Sequence, residues 1–352
     1  MKAVRVLVVD DSAYSRRSIT RMLEGVPGID VVGYAVDGEE GIRQVISLKP
    51  DLVTLDLEMP RMDGFTLLRI LAGRFNLPVI VVSVRSDAEK VFRALELGAV
   101  DFVAKPTSDA RIDLLSITED LQYKVRQAVT AQVKEYHRLS DHHEVRPGQR
   151  AHGRARRRKT GLDLVAIAAS TGGPPALQGI LSAFERSYPV AIVVAQHMPQ
   201  GFTKTFADRL NRASLFEIRE AQDGDLVLPG QVLVAPGGSQ MVLEQDNSAI
   251  RARVLPPDPA YRYHPSADAL FSSCAPLFGN RMLAVVLTGM GNDGSQGIRL
   301  VKECGGQVLA ESEESSVVYG MPREAVATGC VDRIAPLDDI PRMIVECGGF
   351  DQ

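Results

Sequence analysis

Three carboxylates, a hydroxyl and an ammonium stand where short apolar runs stop near the start of this chain. Asp10 and Asp11 close the run Val4 to Val9, and Asp56 closes Leu52 to Leu55 within the segment DLVTLDLEMPRMDG. Ser83 ends the run Val79 to Val82, and Lys105 follows Phe102 to Ala104. Apolar runs of this length, bounded by turn signals, read as buried strands. In an open parallel sheet the carboxyl ends of the strands are where a site is built. Carboxylates gathered there repel one another unless a cation sits among them. An oxygen-only donor set suits Mg²⁺, which keeps several waters and accepts a phosphate oxygen. Asp10, Asp11 and Asp56 are the expected ligands. Ser83 and Lys105 would hold the other phosphoryl oxygens, and Asp56 is the expected nucleophile that forms an acyl phosphate. A polar cap between strand and helix accounts for any one of these residues, but not for the set followed by Lys105-Pro106.

A second constellation follows the same logic. The run LVAIAA ends in Ser170-Thr171-Gly172-Gly173-Pro174, the next buried run ends in Gln196-His197-Met198-Pro199, and a later one ends in Leu287-Thr288-Gly289-Met290-Gly291-Asn292-Asp293-Gly294. A serine before a glycine-rich helix start lies near backbone N–H groups and a helix dipole, both of which favour an oxyanion. Ser170, His197 and Asp293 are thus the candidate nucleophile, general base and base-orienting carboxylate. Of the six histidines, His137, His142, His143 and His152 fall in or beside a linker. His264 is the remaining rival, but its HPSAD setting reads as a helix entrance with Ser266 as cap. An α/β-hydrolase is excluded, because residues 168–172 read Ala-Ala-Ser-Thr-Gly and the order Ser…His…Asp is not that fold's order.

The elements that must position these residues alternate strand with helix. Strands are expected near Val4–Val9, Val31–Val36, Leu52–Leu55, Val79–Val82 and Phe102–Val103, with a long last helix from about Asp113 to Tyr136. Between His137 and Gly161 large apolar residues almost vanish while Arg146, Arg150, Arg154, Arg156, Arg157, Arg158 and Lys159 accumulate, which reads as a basic linker unable to fold alone. Alternation resumes at Leu162. Residues 215 to 255 change character, with short runs between Pro-Gly, Gly-Gly and Asp-Asn signals that suggest hairpins. A helix near Ala267–Cys274, strands at Met282–Leu287 and Gln307–Ala310, a helix at Ser295–Cys304 and a last strand and helix from Cys330 to Cys347 complete the pattern. The expected class is α/β, with two doubly wound parallel-sheet domains: a flavodoxin-like one over 1–125 and a larger one with a β-hairpin insertion over 162–350, joined by a helix end and linker over 126–161.

At 352 residues two domains are expected. Hydrophobic residues make up 45% and charged residues 24%, as in ordinary globular proteins, and the net charge of −4 argues against general nucleic-acid affinity. No apolar run reaches the roughly 20 residues of a membrane span, and the N-terminus reads as a strand rather than a signal peptide, so a cytoplasmic protein is expected. Cys274, Cys304, Cys330 and Cys347 show no CxxC spacing and read as reduced thiols.

Residues 1 to about 125 resemble the response-regulator receiver domain of two-component signalling, through VLVVDDSAYSRR, LDLEMPRMDG, Ser83 and AKP. Phe102 occupies the place of that family's aromatic switch residue. Residues from about 162 to 347 resemble the catalytic domain of the chemotaxis protein-glutamate methylesterase, through ASTGGP, QHMP, GFTKTFADRLN, VLVAPGG, PSADALF, LTGMGNDG and YGMPREA. Ala168 departs from the glycine common before AST in that family. The resemblance implies a phosphorylation-activated hydrolase that demethylates glutamate methyl esters, and deamidates particular glutamines, on cytoplasmic helices of chemoreceptors. A histidine kinase would supply phosphate with Mg²⁺, and hydrolysis would need no cofactor. The Met290 backbone N–H would bind the oxyanion, and Gly172-Gly173 would let the receptor helix approach closely. The resemblance also implies that the unphosphorylated receiver covers the hydrolase entrance. The rival readings are a phosphorylation-dependent binding module without catalysis, and the same enzyme in a chemosensory array that does not serve motility.

Overall fold

Val6, Leu7, Val8, Leu52, Val53 and Val79 to Val82 are shielded from solvent almost completely, as strands covered by helices on both faces must be. They belong to a five-stranded parallel sheet built from β1 (Val4–Val9), β2 (Ile29–Ala35), β3 (Leu52–Leu55), β4 (Val79–Val84) and β5 (Asp101–Lys105), in the order β2-β1-β3-β4-β5. The helices between and after them are α1 (Ala13–Glu24), α2 (Gly38–Leu48), α3 (Gly64–Phe75), α4 (Ala88–Glu96) and α5 (Thr118–Ala128). Strand order reverses between β1 and β3, which places Asp10 and Asp56 at a topological switch point. Gly64 starts α3 tight against the Asp56 turn: a Cβ there would lie 2.3 Å from the Asp56 carbonyl oxygen and 2.6 Å from Leu57 Cα. That close approach is the physical reason for the Asp-Gly pair that follows Asp56 in the sequence.

This computed structural model describes residues 3–84, 88–105, 117–128 and 161–350. The basic linker and the outer parts of the expected 113–136 helix lie outside the described residues. The chain divides into two compact units, Met1–His137 and Arg138–Gln352.

The second unit holds a seven-stranded parallel sheet in the order β14-β13-β12-β6-β7-β9-β8. Its strands are β6 (Leu164–Ala169), β7 (Ala191–Gln196), β8 (Glu217–Glu220), β9 (Gln231–Val234), β12 (Met282–Val286), β13 (Gln307–Glu311) and β14 (Arg333–Ala335). Helices α6 (Gly173–Ser182), α7 (Thr203–Ala213), α8 (Ala267–Phe278), α9 (Ser295–Glu303), α10 (Met321–Ala327) and α11 (Ile340–Gly348) alternate with them. Leu270, Phe271, Cys274 and Phe278 of α8 pack into the main core with Met282, Val286 and Ile298. All four cysteines are free thiols.

Only part of the 215–255 stretch forms a hairpin, namely the antiparallel pair β10 (Gln240–Asp246) and β11 (Ala249–Leu255). β8 and β9 instead join the sheet edge in parallel, despite the Pro229-Gly230 signal between them. The connection returns the chain by pairing with β11, through a Leu226–Arg251 bridge and the Val227 N–H to Ile250 carbonyl bond of 2.9 Å. A helix-free crossover satisfied in this way has no local sequence signature. Helix α10, over MPREAVA, was likewise not among the expected elements.

Candidate functional site

At the carboxyl edge of the first sheet, oxygens of Asp10, Asp11 and Asp56 lie within 4.8 Å of one another. Asp10 is fully buried and Asp11 exposed, with Asp56 between these extremes. Lys105 Nζ, at the end of β5, donates to Asp10 Oδ2 and Asp56 Oδ2, both at 2.7 Å. Burial pushes the Asp10 carboxyl up; Lys105 opposes that and the Asp56 charge adds to it, leaving a net rise. Burial pulls the Lys105 ammonium down, but Asp10 and Asp56 outweigh it and hold it above its ordinary value. Like charge is therefore only partly compensated, and a hard, oxygen-only cluster under such repulsion fits a small divalent cation. Ser83 is buried one strand over, in β4. Phe102 is 3% exposed, with Lys124 Nζ 5.3 Å from its ring centroid and donating to its carbonyl at 2.6 Å.

In the second sheet, strand order reverses between β12 and β6, so the loops after β6, β7 and β12 meet at one edge. Ser170 leaves β6 with its N–H donated to the Thr288 carbonyl at 3.0 Å, and Gln196 Nε2 donates to its carbonyl at 2.9 Å. His197 leaves β7, and its Nε2 lies 2.7 Å from Asp293 Oδ2. The other ring nitrogen, Nδ1, is buried without a partner, so the tautomer that donates to Asp293 leaves Nδ1 as the proton acceptor. Ser170 Oγ makes no hydrogen bond to this nitrogen among the described residues; such contacts often tighten only when substrate binds. The Met290 N–H likewise has no hydrogen-bond acceptor among the described residues.

Asp293 serves two masters. Besides His197 it accepts the Ser266 hydroxyl at 2.9 Å and the amides of Ala267 and Asp268 at 2.7 and 3.0 Å, all at the start of α8. Asp268 returns the contact, accepting the Gln296 and Gly297 amides at 2.9 and 2.7 Å where α9 begins. Burial pushes Asp293 up, but the His197 contact and the two amides outweigh it, and the net shift is downward. Asp268 goes the other way, pushed up to about 6 chiefly by burial, with the Asp293 charge adding. His264 bonds the Asp258 carbonyl at 3.0 Å and takes no part in the Asp293 contact.

Three neighbours that shape this site are not among the expected site residues. Tyr263 stacks on His197, with ring centroids 4.1 Å apart and planes 10° apart, and fixes the plane of the imidazole. Gln196 ties the Ser170 and His197 carbonyls together. Glu311 closes the run QVLAE and is fully buried, a charged strand end that could have been marked by the same reading that marked Asp56. The glycines after Ser170 have an internal reason. A Cβ on Gly172 would lie 2.4 Å from Val317, and one on Gly173 would lie 2.1 Å from Gln196 Oε1. Their small size is required by packing within the fold.

A family model described as CheB methylesterase matches residues 165–344, and one described as response regulator receiver domain matches residues 6–115. The chain is 56% identical to a Geobacter sulfurreducens protein-glutamate methylesterase/protein-glutamine glutaminase, over 99% of this chain and 98% of that one. A Myxococcus xanthus protein of the same description is 48% identical over 96% and 95%. Among solved structures, the Thermotoga maritima CheB methylesterase catalytic domain is 38% identical with a TM-score of 0.51, covering 53% of this chain and 98% of that chain.

Proposed function

This chain belongs to the CheB methylesterase family, with a receiver domain ahead of the hydrolase, and we propose that Ser170, His197 and Asp293 carry out its acyl transfer. The protein is a phosphorylation-regulated methylesterase and glutaminase acting on chemoreceptors. In the proposed scheme Ser170 Oγ attacks the γ-carbonyl of a methylated glutamate while His197 Nδ1 takes its proton. The Met290 N–H binds the oxyanion of the tetrahedral intermediate, and Asp293 holds the imidazolium through Nε2. Collapse expels methanol, or ammonia from a glutamine, with the proton returned by His197. Water then attacks the acyl-serine by the same route and releases glutamate. The observation that carries this reading is the buried His197–Asp293 pair, whose free Nδ1 stands at the sheet edge shared with Ser170.

Asp56 is the proposed phosphoacceptor, with Lys105 and Ser83 holding phosphoryl oxygens and Phe102 as the switch ring. Asp10, Asp11 and Asp56 would hold Mg²⁺, which when bound neutralises charge that develops on the transferring phosphoryl group. Lys105, already bridging Asp10 and Asp56, would move its contact to the phosphoryl oxygens. We place the receiver at 1–125, the helix end and linker at 126–161 and the hydrolase at 162–350. The proposed partners are methylated cytoplasmic helices of a chemoreceptor as substrate and a phosphorylated histidine kinase as donor, in the cytoplasm. No described helix is long and apolar enough to cross a membrane. The test is methanol release from a methylated receptor by the phosphorylated protein and by its Ser170→Ala variant. A folded variant should lose about 10⁴-fold in kcat, and retention of most activity would remove Ser170 as nucleophile.

A further inference from the structure

Glu311 ends β13 with no solvent exposure, and the acyl-transfer scheme leaves it without a part. Its Oε2 accepts the Thr288 N–H at 2.7 Å, and its Oε1 accepts the Ser315 hydroxyl at 2.9 Å. Ser315 Oγ in turn accepts the Leu337 N–H at 3.0 Å, which anchors the carboxyl from behind. Among the described residues no charged side chain offsets it; burial dominates its surroundings, and both donors are neutral. Burying a carboxyl group in this way is unfavourable, and an apolar residue would continue the run QVLA at no such penalty.

What the group holds is the residue through which the two reactive loops meet. The Thr288 carbonyl accepts the Ser170 N–H at 3.0 Å, and the Thr288 hydroxyl donates to the Thr171 carbonyl at 2.9 Å. That hydroxyl also accepts the Val318 N–H at 3.0 Å. Gly289 then packs so closely on the nucleophile that a Cβ there would lie 2.7 Å from Ser170 Cβ, and Met290 follows directly. A shift of Thr288 would therefore move the Ser170 backbone and the proposed oxyanion donor relative to each other.

We propose that Glu311 is a positioning residue for acyl transfer, clamping the Thr288 amide so that the Ser170 loop and the Met290 loop stay in register. This inference rests on the roles assigned to Ser170 and Met290 above. Misplacement by about an ångström is enough to lower a rate by roughly 10²-fold without touching a reacting group. A glutamine can still accept the Thr288 N–H and donate to Ser315 Oγ, whereas an alanine leaves the amide buried and unpaired.

The experiment compares the full-length, phosphorylated protein with its Glu311→Ala, Glu311→Gln, Ser315→Ala and Ser170→Ala variants on methylated receptor, with melting curves for each. Glu311→Ala should lose about 10- to 100-fold in kcat with KM unchanged within about twofold, and Glu311→Gln should recover most of it. A Ser170→Ala variant that keeps its activity overturns the triad reading and this inference with it. With Ser170→Ala inactive, the inference alone falls if Glu311→Ala keeps its kcat, if only KM changes, or if Glu311→Gln is as impaired as the alanine variant. Should Glu311→Ala fail to fold, Ser315→Ala decides: a kcat loss of about two- to tenfold supports the clamp, and an unchanged kcat refutes it.

Discussion

Replacing Asp293 by asparagine separates two duties that one carboxylate performs. The side chain accepts four donors: His197 Nε2–H and the Ala267 amide on Oδ2, and the Ser266 hydroxyl and the Asp268 amide on Oδ1. Asparagine is isosteric but offers a single acceptor oxygen, and its amide nitrogen would point two donors at two donors. Two charge-assisted bonds are lost at about 1.5–3 kcal/mol each, so the hydrolase unit should lose roughly 3–6 kcal/mol. For a domain of this size the melting temperature should fall by on the order of 10 °C. Activity should fall by about 10⁴-fold, because the imidazolium is no longer held and the tautomer is wrong.

The two losses behave differently when His197 is already alanine. The activity loss should not grow, since triad members act as a unit. The stability loss should largely persist, because three of the four donors belong to the start of α8 rather than to His197. The net downward shift of Asp293 sets the pH dependence: its stabilisation is present above the ordinary carboxylate range and is lost as pH falls through the depressed value. The gap in stability between wild type and variant should thus narrow in acid. Calorimetric melting and methanol release on the four proteins of this cycle provide the assay. An Asp293→Asn variant within tenfold of wild-type activity, or a stability loss that disappears in the His197→Ala background, would refute the reasoning.

Phosphate incorporation should vanish in Asp56→Asn, measured with a small phosphodonor and Mg²⁺, while Asp10→Asn and Asp11→Asn should slow transfer without removing the acceptor. A fragment starting near Gly161 should hydrolyse methylated receptor faster than the full-length, unphosphorylated protein by about 10- to 100-fold, a coupling of roughly 1.4–2.8 kcal/mol; a fragment no faster would assign the receiver a recruiting or activating role instead. Glu311, pushed up to about 7 by burial from an ordinary 4.5, favours the folded state most when protonated. Its contribution is complete below the unfolded value and lost as pH rises through the folded one. Stability relative to Glu311→Gln should therefore fall by up to about 3 kcal/mol across that window in pH-dependent unfolding.

The residues proposed to do chemistry stood out as candidates because each sits where an apolar run ends, and run length and chain punctuation are local. Asp56, Lys105, Ser170, His197 and Asp293 all stand at such ends, and two alternating strand–helix patterns imply two parallel sheets without any contact being known. Cysteine spacing likewise indicated the free thiols. Local pattern does not say which strands are neighbours, since pairing is a property of distant segments. It therefore spread the hairpin reading over all of 215–255, whereas β8 and β9 pair in parallel and the chain between them is satisfied by β11. The same limit hid the residues that set the geometry of the site. Only the packed structure turns His197 so that Nε2 meets Asp293 and Nδ1 stays free, stacks Tyr263 on the ring, and lets Asp293 and Asp268 cap each other's helices. Glu311 and Thr288, likewise, touch only because β13 lies beside β12. A hydrogen bond's strength and direction depend on tenths of an ångström between groups separated by tens of residues, and that precision comes into being only when the core closes.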